Sequence, residues 1–180
     1  EVGDKTILTM EQGDAVEYMW ESCQAHPQVM DLYDQCTKKE VEVDFEFDSM
    51  KCKAKIDMFD GENTVVDFKT CQDASPDAFM RASANYLYHL QLAWYARAVG
   101  LKWNEVSAYI IAVENTAPYG VAVYKFSNNA LLNGWELCKD GVGMWKEYKM
   151  DLAIGGGMFP YSDEVLELEL PVWATKTNEG

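Results

Sequence analysis

A chain of 180 residues with 48% hydrophobic and 25% charged side chains has the make-up of one globular domain with a real core. Six Trp, ten Tyr and seven Phe exclude a disordered chain, and the absence of any apolar run near ~20 residues or of a signal-peptide pattern leads us to expect a cytoplasmic protein with no membrane segment. A formal net charge of −15 excludes a surface that is basic all over, so any hold on nucleic acid has to come from locally gathered cations and bound metal ions.

The predicted elements begin with a helix over 9–24, where Thr9 and Gln12 make a capping box. After Ala25-His26 a second helix starts with Pro27 in its first turn and runs to about Thr37. From Glu40 to Phe47 charged and apolar residues alternate, the mark of a strand with one buried face. Asp48-Ser49 is a turn, and Lys51 to Asp57 alternates again as the hairpin partner. Asp60-Gly61-Glu62-Asn63 turns the chain into a third strand, Thr64 to Lys69. Ser75-Pro76 starts a helix, with the serine hydroxyl as its cap, that runs unbroken from Pro76 to Val99 and stops at Gly100. Val106–Val113 and Val121–Phe126 read as strands, and Ser127 caps a last helix to about Met150. The Gly155-Gly156-Gly157 segment and the tail are irregular, with Pro171-Val172-Trp173 docking back on the body.

No repeat or linker divides the sequence, so a single domain over 1–180 is expected: a helical N-terminal region over 1–39, a core over 40–126, and a C-terminal helix and tail over 127–180. Because the chain opens at Glu1 and not at Met, we expect a segment upstream to be missing. The five cysteines, Cys23, Cys36, Cys52, Cys71 and Cys138, include no C-x-x-C pair, which argues against a zinc ribbon or iron–sulfur site and for reduced, mostly buried thiols.

Chemistry concentrates on the second and third strands. By strand alternation Lys51, Lys53, Lys55 and Asp57 share one face of the second strand, and Asp67 and Lys69 share one face of the third, with Val66 and Phe68 turned to the core. If the strands pair, Asp57 and Asp67 converge with Lys69 beside them. Two close carboxylates repel unless a cation sits between them, and a hard divalent ion suits oxygen ligands. Such an ion lowers the pKa of bound water, while an adjacent ammonium orients that water or stabilises charge on phosphate. On the following helix Tyr88, Gln91 and Tyr95 fall at i, i+3 and i+7, on one face, and a buried Gln91 there needs a partner such as a metal-bound water or a phosphate.

Glu40, then Lys53-Ala54-Lys55-Ile56-Asp57, nine residues, Asp67-Phe68-Lys69-Thr70, and Tyr88-His89-Leu90-Gln91 with Tyr95 together resemble the RecB-like branch of the PD-(D/E)xK nucleases. Within that branch the chain is most similar to the exonuclease VIII (RecE-type) group of phages and prophages. The resemblance extends from Glu40 to the tail, where Leu170-Pro171-Val172-Trp173-Ala174 looks like that group's C-terminal segment. It implies an α/β fold with a restriction-endonuclease-like core, a central mixed β-sheet flanked by helices. The activity implied is Mg²⁺-dependent digestion of linear double-stranded DNA from its ends, 5′→3′, leaving single strands for a partner annealing protein; Mn²⁺ is expected to substitute. It further implies a ring-shaped homo-oligomer, trimer or tetramer, in a bacterial cytoplasm.

Carried over position by position, Asp57, Asp67 and Glu40 become metal ligands, joined by the Phe68 carbonyl, and Lys69 the catalytic lysine. Gln91, Tyr95 and Tyr88 become contacts to the substrate strand. Lys53 and Lys55 are either phosphate contacts or neutralise Glu42, Asp44 and Glu46 across the hairpin, and Glu42 competes with Glu40 as the upstream acid. His89 reads as structural, Arg81 as a helix-surface ion pair in competition with a terminal-phosphate contact. Relatives carry a histidine in an upstream helical segment, and His26, lying before Pro27, does not match its context. Two other functions remain open: an endonuclease or nickase of the same superfamily, and a non-catalytic DNA-binding module that retains the fold.

Overall fold

The structure, a computed structural model, describes residues 8–153, 165 and 167–169. The chain divides into two compact units, Glu1–Val142 and Gly143–Gly180.

The capping box at Thr9 forms as expected. Gln12 N–H donates to the Thr9 hydroxyl (3.2 Å) and Thr9 N–H to Gln12 Oε1 (3.0 Å), starting α1 (Met10–Ala25), which His26 separates from α2 (Pro27–Gln35). β1 (Lys38–Phe47) and β2 (Met50–Phe59) then make the hairpin. Its turn residues Asp48 and Ser49 are both left-handed, with φ of 50° and 62°, the backbone twist that lets a two-residue loop join antiparallel strands. Glu42 stands opposite Lys55, Asp44 opposite Lys53 and Glu46 opposite Lys51, so charge complementarity across the hairpin sets the same register as its apolar face.

β3 (Thr64–Cys71) is followed by α3 (Pro76–Asn85), α4 (Tyr88–Ala98), β4 (Ser107–Glu114), β5 (Val121–Lys125) and α5 (Asn128–Ala153). The sheet runs in the order β1-β2-β3-β4-β5; β3 and β4 are parallel and the other neighbours antiparallel. α3 and α4 carry the crossover between the two parallel strands, as a parallel connection requires. Both faces of the middle strands are covered. Ile56, Val65, Phe79, Leu92, Ile110 and Leu131 fill the core on the α3–α4 side, while Val29, Cys36, Met58, Val66 and Ile111 fill a second core with α1 and α2. Adjacent pairs such as Val65-Val66 and Ile110-Ile111 are therefore buried on opposite faces, the pattern of strands covered on both sides.

Two expectations are corrected. The helix from Pro76 does not run unbroken to Val99: Leu87 is left-handed (φ 56°, ψ 40°) and separates α3 from α4. No glycine or proline announces this break. The backbone satisfies itself on both sides, with Tyr86 N–H on Ala82 O (2.8 Å) and Leu90 N–H on Leu87 O (2.9 Å), and Tyr86 stacks on Tyr88 across the gap. Nor does the Ser75 hydroxyl cap α3; it is drawn back to Asp73, which also accepts the Ser75 N–H at 2.8 Å. At the far end Ser127 does accept the Ala130 N–H of α5 (3.2 Å).

α4 is seated by close packing on two sides. Trp94 packs edge-on against Phe45 and donates its indole N–H to the Lys53 carbonyl (3.0 Å). On the α5 side, a Cβ on Gly134 would lie 2.2 Å from the His89 carbonyl oxygen, so only glycine allows this approach. His89 enters this contact through its backbone carbonyl. All five cysteines are free thiols. In the second unit Trp145 packs on Tyr148 and Lys149 lies over the Trp145 ring. Gly155–Gly157 and the segment 170–174 lie outside the described residues. No helix among the described residues is long and apolar enough to cross a membrane.

Candidate active site

The site forms where β2 and β3 part. β3 is paired with β4 along its whole length, Thr64 to Cys71, but with β2 only through Met58↔Val66 and Phe59↔Val65. Where that ladder stops, the Asp57 side chain replaces it: Oδ2 accepts the Phe68 N–H at 2.8 Å. A strand residue points its N–H and C=O to the same side, so the Phe68 carbonyl faces the same opening. The two-residue period expected of β2 breaks at this point. Ala54, Ile56 and Phe59 belong to one core and Met58 to the other, so the face shared by Lys51, Lys53 and Lys55 does not continue regularly through Asp57. The facing strand is irregular too, since Glu40 has φ 50° and drops out of the ladder between Lys39↔Met58 and Val41↔Ile56. Paired irregularities of this kind re-aim side chains at functional sites.

Asp67 lies beneath α4 and is 1% exposed. Its Oδ1 accepts from Gln91 Nε2 (3.1 Å) and from the Tyr95 hydroxyl (3.2 Å), and Gln91 Nε2 also donates to that hydroxyl (2.7 Å). Gln91 and Tyr95 are one helical turn apart, which lets both reach the same oxygen. Gln91, expected to partner a metal-bound water or a phosphate, here donates to the Asp67 carboxylate and to the Tyr95 hydroxyl. Asp67 Oδ2 lies 2.5 Å from Lys69 Nζ, yet it takes no well-aligned hydrogen bond among the described residues. Lys69 lies over the Tyr88 ring, 5.3 Å from its centroid.

Burial pushes the Asp67 carboxyl above the usual aspartate range; Lys69 opposes the rise and the Asp57 charge adds to it. Burial, followed by the charge of Asp67, raises Tyr95, which keeps its hydroxyl a proton donor at neutral pH. Since Asp57 acts on both Asp67 and Tyr95, its carboxylate stands within electrostatic reach of the buried group.

Other candidates stay outside this cluster. Glu40 pairs with Lys55 (2.5 Å) in an exposed contact, and Lys53 pairs with Asp44 (3.5 Å). Among the described residues no three His, Cys, Asp or Glu side chains gather as a metal cage. The donor set is two carboxylates and one backbone carbonyl. It fits a hard divalent cation that keeps several waters, as Mg²⁺ does: Asp67 Oδ2 is a buried oxygen that has the Lys69 ammonium beside it but no well-aligned donor among the described residues. His26 sits between α1 and α2 with its Nδ1 buried and unpaired among the described residues. Glu114 went unnoticed in the sequence. It accepts the Ala74 N–H (3.0 Å) and the Gly120 N–H (3.2 Å), tying the loop after β3 to the loop before β5. An acid ending an apolar strand was its only signal.

A five-stranded mixed sheet flanked by helices, with a D-x-K pair on a middle strand and an acid where the next strand diverges, is the architecture of a PD-(D/E)xK-like α/β domain. Residues 3–151 match the family described as "PDDEXK-like domain of unknown function (DUF3799)", and the chain belongs to that family. The fold is similar to a crystal structure from Eubacterium rectale described as "Putative exonuclease", at 17% sequence identity and a TM-score of 0.62, covering 88% of this chain and 63% of that one. This chain thus spans less than two thirds of that protein. A second structure, SSO0001, matches at 15% identity over 69% of this chain and 55% of its own, with a TM-score of 0.37, too low to carry an argument. No curated protein matches the sequence.

Proposed function

We propose that this chain is a divalent-metal-dependent deoxyribonuclease that degrades linear double-stranded DNA from its ends, 5′→3′, leaving single strands for a recombination step that anneals them. One observation carries the reading: a buried Asp67 paired with Lys69 is followed in the chain by Phe68, whose N–H the Asp57 carboxylate accepts at 2.8 Å, at the point where β2 leaves β3. The exonuclease character and polarity rest on the motif resemblance, as do the ring-shaped homo-oligomer and the annealing partner.

In this reading Asp57, Asp67 and the Phe68 carbonyl hold Mg²⁺ or Mn²⁺, which supplies an activated water and charge stabilisation on the phosphate. Lys69 places a positive charge beside the scissile phosphate, where the developing charge is greatest. Gln91 and Tyr95 fix the orientation of Asp67 by occupying Oδ1, so that Oδ2, beside the Lys69 ammonium, is the oxygen the cation would take. They are positioning residues here, in place of the direct strand contacts expected from the sequence. Tyr88 supports the Lys69 ammonium with its ring face. Glu40 acts through Lys55, whose amine also feels Glu42 and Asp57.

The test uses linear duplex labelled at either end and, beside it, covalently closed circular duplex, each with Mg²⁺ and with EDTA. Metal-dependent loss of linear substrate, starting at the 5′ ends and sparing the circle, is expected. Cleavage of the circle would move the assignment to an endonuclease, and no cleavage of any DNA with Mg²⁺ or Mn²⁺ would overturn it.

A further inference from the structure

Directly beyond Lys69 the chain encloses an open cavity of about 470 Å³, within the usual ligand-pocket range of about 300–1,000 Å³. Thr70, Gln72 and Asp73 line it from the end of β3, Tyr86 and Tyr88 from the α3–α4 break, and Asn115 from the end of β4. Tyr86 is 72% exposed. Its ring stacks on Tyr88 at 5.8 Å between centroids and 23° between planes, and both rings line the cavity. The same Tyr88 ring carries the Lys69 ammonium, which joins the pocket to the candidate active site through a single side chain.

The lining chemistry says which portion of a nucleotide fits. No lysine or arginine among the described residues lines the pocket, and Asp73, held ionised by the Ser75 hydroxyl and N–H, puts negative charge in it. A phosphate would be repelled. A base would find an aromatic face to stack on, and amide, hydroxyl and carboxylate groups for its edge. The left-handed Leu87 explains the placement, because a continuous helix would put Tyr86 two residues, or about 200° of helical turn, from Tyr88 and not beside it.

We infer that this cavity receives an unstacked nucleobase of the DNA strand whose phosphate lies at Lys69, with Tyr86 as the stacking platform. The inference rests on the nuclease reading and adds a base subsite to it. A base removed from the duplex stack loses its neighbours, and an aromatic platform replaces them.

The experiment measures binding of a fluorescein-labelled single-stranded DNA, and of the same strand built from abasic residues, with Ca²⁺ in place of Mg²⁺. Wild type, Tyr86→Ala and Tyr86→Phe are compared, and circular dichroism checks each fold. Base–aromatic stacking by alanine substitution is worth about 1–3 kcal/mol, so Tyr86→Ala should weaken binding of the base-bearing strand about tenfold. Tyr86→Phe, which keeps the ring, should bind like wild type, and the abasic strand should not distinguish the three proteins. Equal binding of base-bearing DNA by wild type and Tyr86→Ala overturns the proposal; so does an equal loss on the abasic strand, or no binding by wild type. Parallel cleavage with Mg²⁺ separates the two readings. A wild type that cleaves while Tyr86→Ala binds normally sinks the base subsite alone. Tyr86-dependent binding without any cleavage sinks the nuclease alone.

Discussion

The molecule contains the same pair, an aspartate and a lysine, in two opposite settings. On the β1–β2 hairpin Asp44 and Lys53 meet at 3.5 Å with their side chains 78% and 80% exposed. On β3, Asp67 and Lys69 meet at 2.5 Å with side chains 2% and 21% exposed. Water solvates the first pair almost as well apart as together, so it contributes about 0–1 kcal/mol. The second has lost its water, and the attraction to Lys69 does not fully offset the desolvation of Asp67, since the carboxyl still sits above its usual range. An acid in that state binds a cation more readily than one already well solvated. Identical residue types thus serve the hairpin as register and the site as stored electrostatic potential.

The largest effect that separates the two settings is on cleavage. Lys69→Met keeps the length of the side chain and removes its charge. Loss of one positioned electrostatic stabiliser costs about 10²–10³ in rate, so end-labelled duplex should be degraded at least that much more slowly with Mg²⁺, while the fold persists by circular dichroism. A rate within about tenfold of wild type would remove Lys69 from the chemistry, because a change that small equals about 1.4 kcal/mol.

Next in size is an effect on stability of opposite sign to the one on activity. The Asp67 carboxyl is raised above the usual value of 3.8 by burial, against the pull of Lys69, so between 3.8 and the raised value the folded chain holds more proton than the unfolded chain. Stability contributed by this group therefore falls as pH rises through that window, and the full cost is present above it. Asp67→Asn removes the titration, and its amide oxygen can still accept from Gln91 and Tyr95. In EDTA the variant should be more stable than wild type to urea at neutral pH, with an advantage that shrinks as pH falls toward 3.8. It should be inactive on DNA. A variant less stable than wild type at neutral pH would mean that the Lys69 pair outweighs desolvation and that Asp67 is structural.

Sequence pattern exposed the hairpin more fully than the site, and the reason is physical. Alternation over Glu40–Phe47 and Lys51–Asp57 encodes the strands, and the opposed charges at positions 42, 44 and 46 encode their register. The D-x-K spacing and the Gln91–Tyr95 spacing likewise placed their side chains on shared faces, as the network at Asp67 Oδ1 bears out. Periodicity assumes that a strand stays regular, and the site depends on β2 ceasing to be so. The slip at Asp57, the left-handed Glu40 opposite it and the early end of the β2–β3 ladder arise from tertiary packing of two cores on the two faces of the sheet. The break at Leu87 was hidden for a similar reason: α3 and α4 share an apolar pattern, and tyrosine stacking across the gap has no one-residue signature.

The smallest effect concerns the exposed pair and settles its competing roles. Lys53 could hold a phosphate or balance Asp44. Its ammonium lies by Asp44, while its backbone carbonyl accepts the Trp94 indole N–H, so the portion of Lys53 that supports the fold is main chain and survives substitution. Lys53→Ala should change urea stability by no more than about 0.5 kcal/mol, the usual range for surface changes. If Lys53 contacted a phosphate, the variant would release about one counterion fewer and the slope of log K against log salt would flatten by about 0.9. Because Asp44 already neutralises it, the slope should instead match wild type. A flatter slope for Lys53→Ala would extend the DNA path from Lys69 across to the hairpin, and the two settings would then belong to one surface.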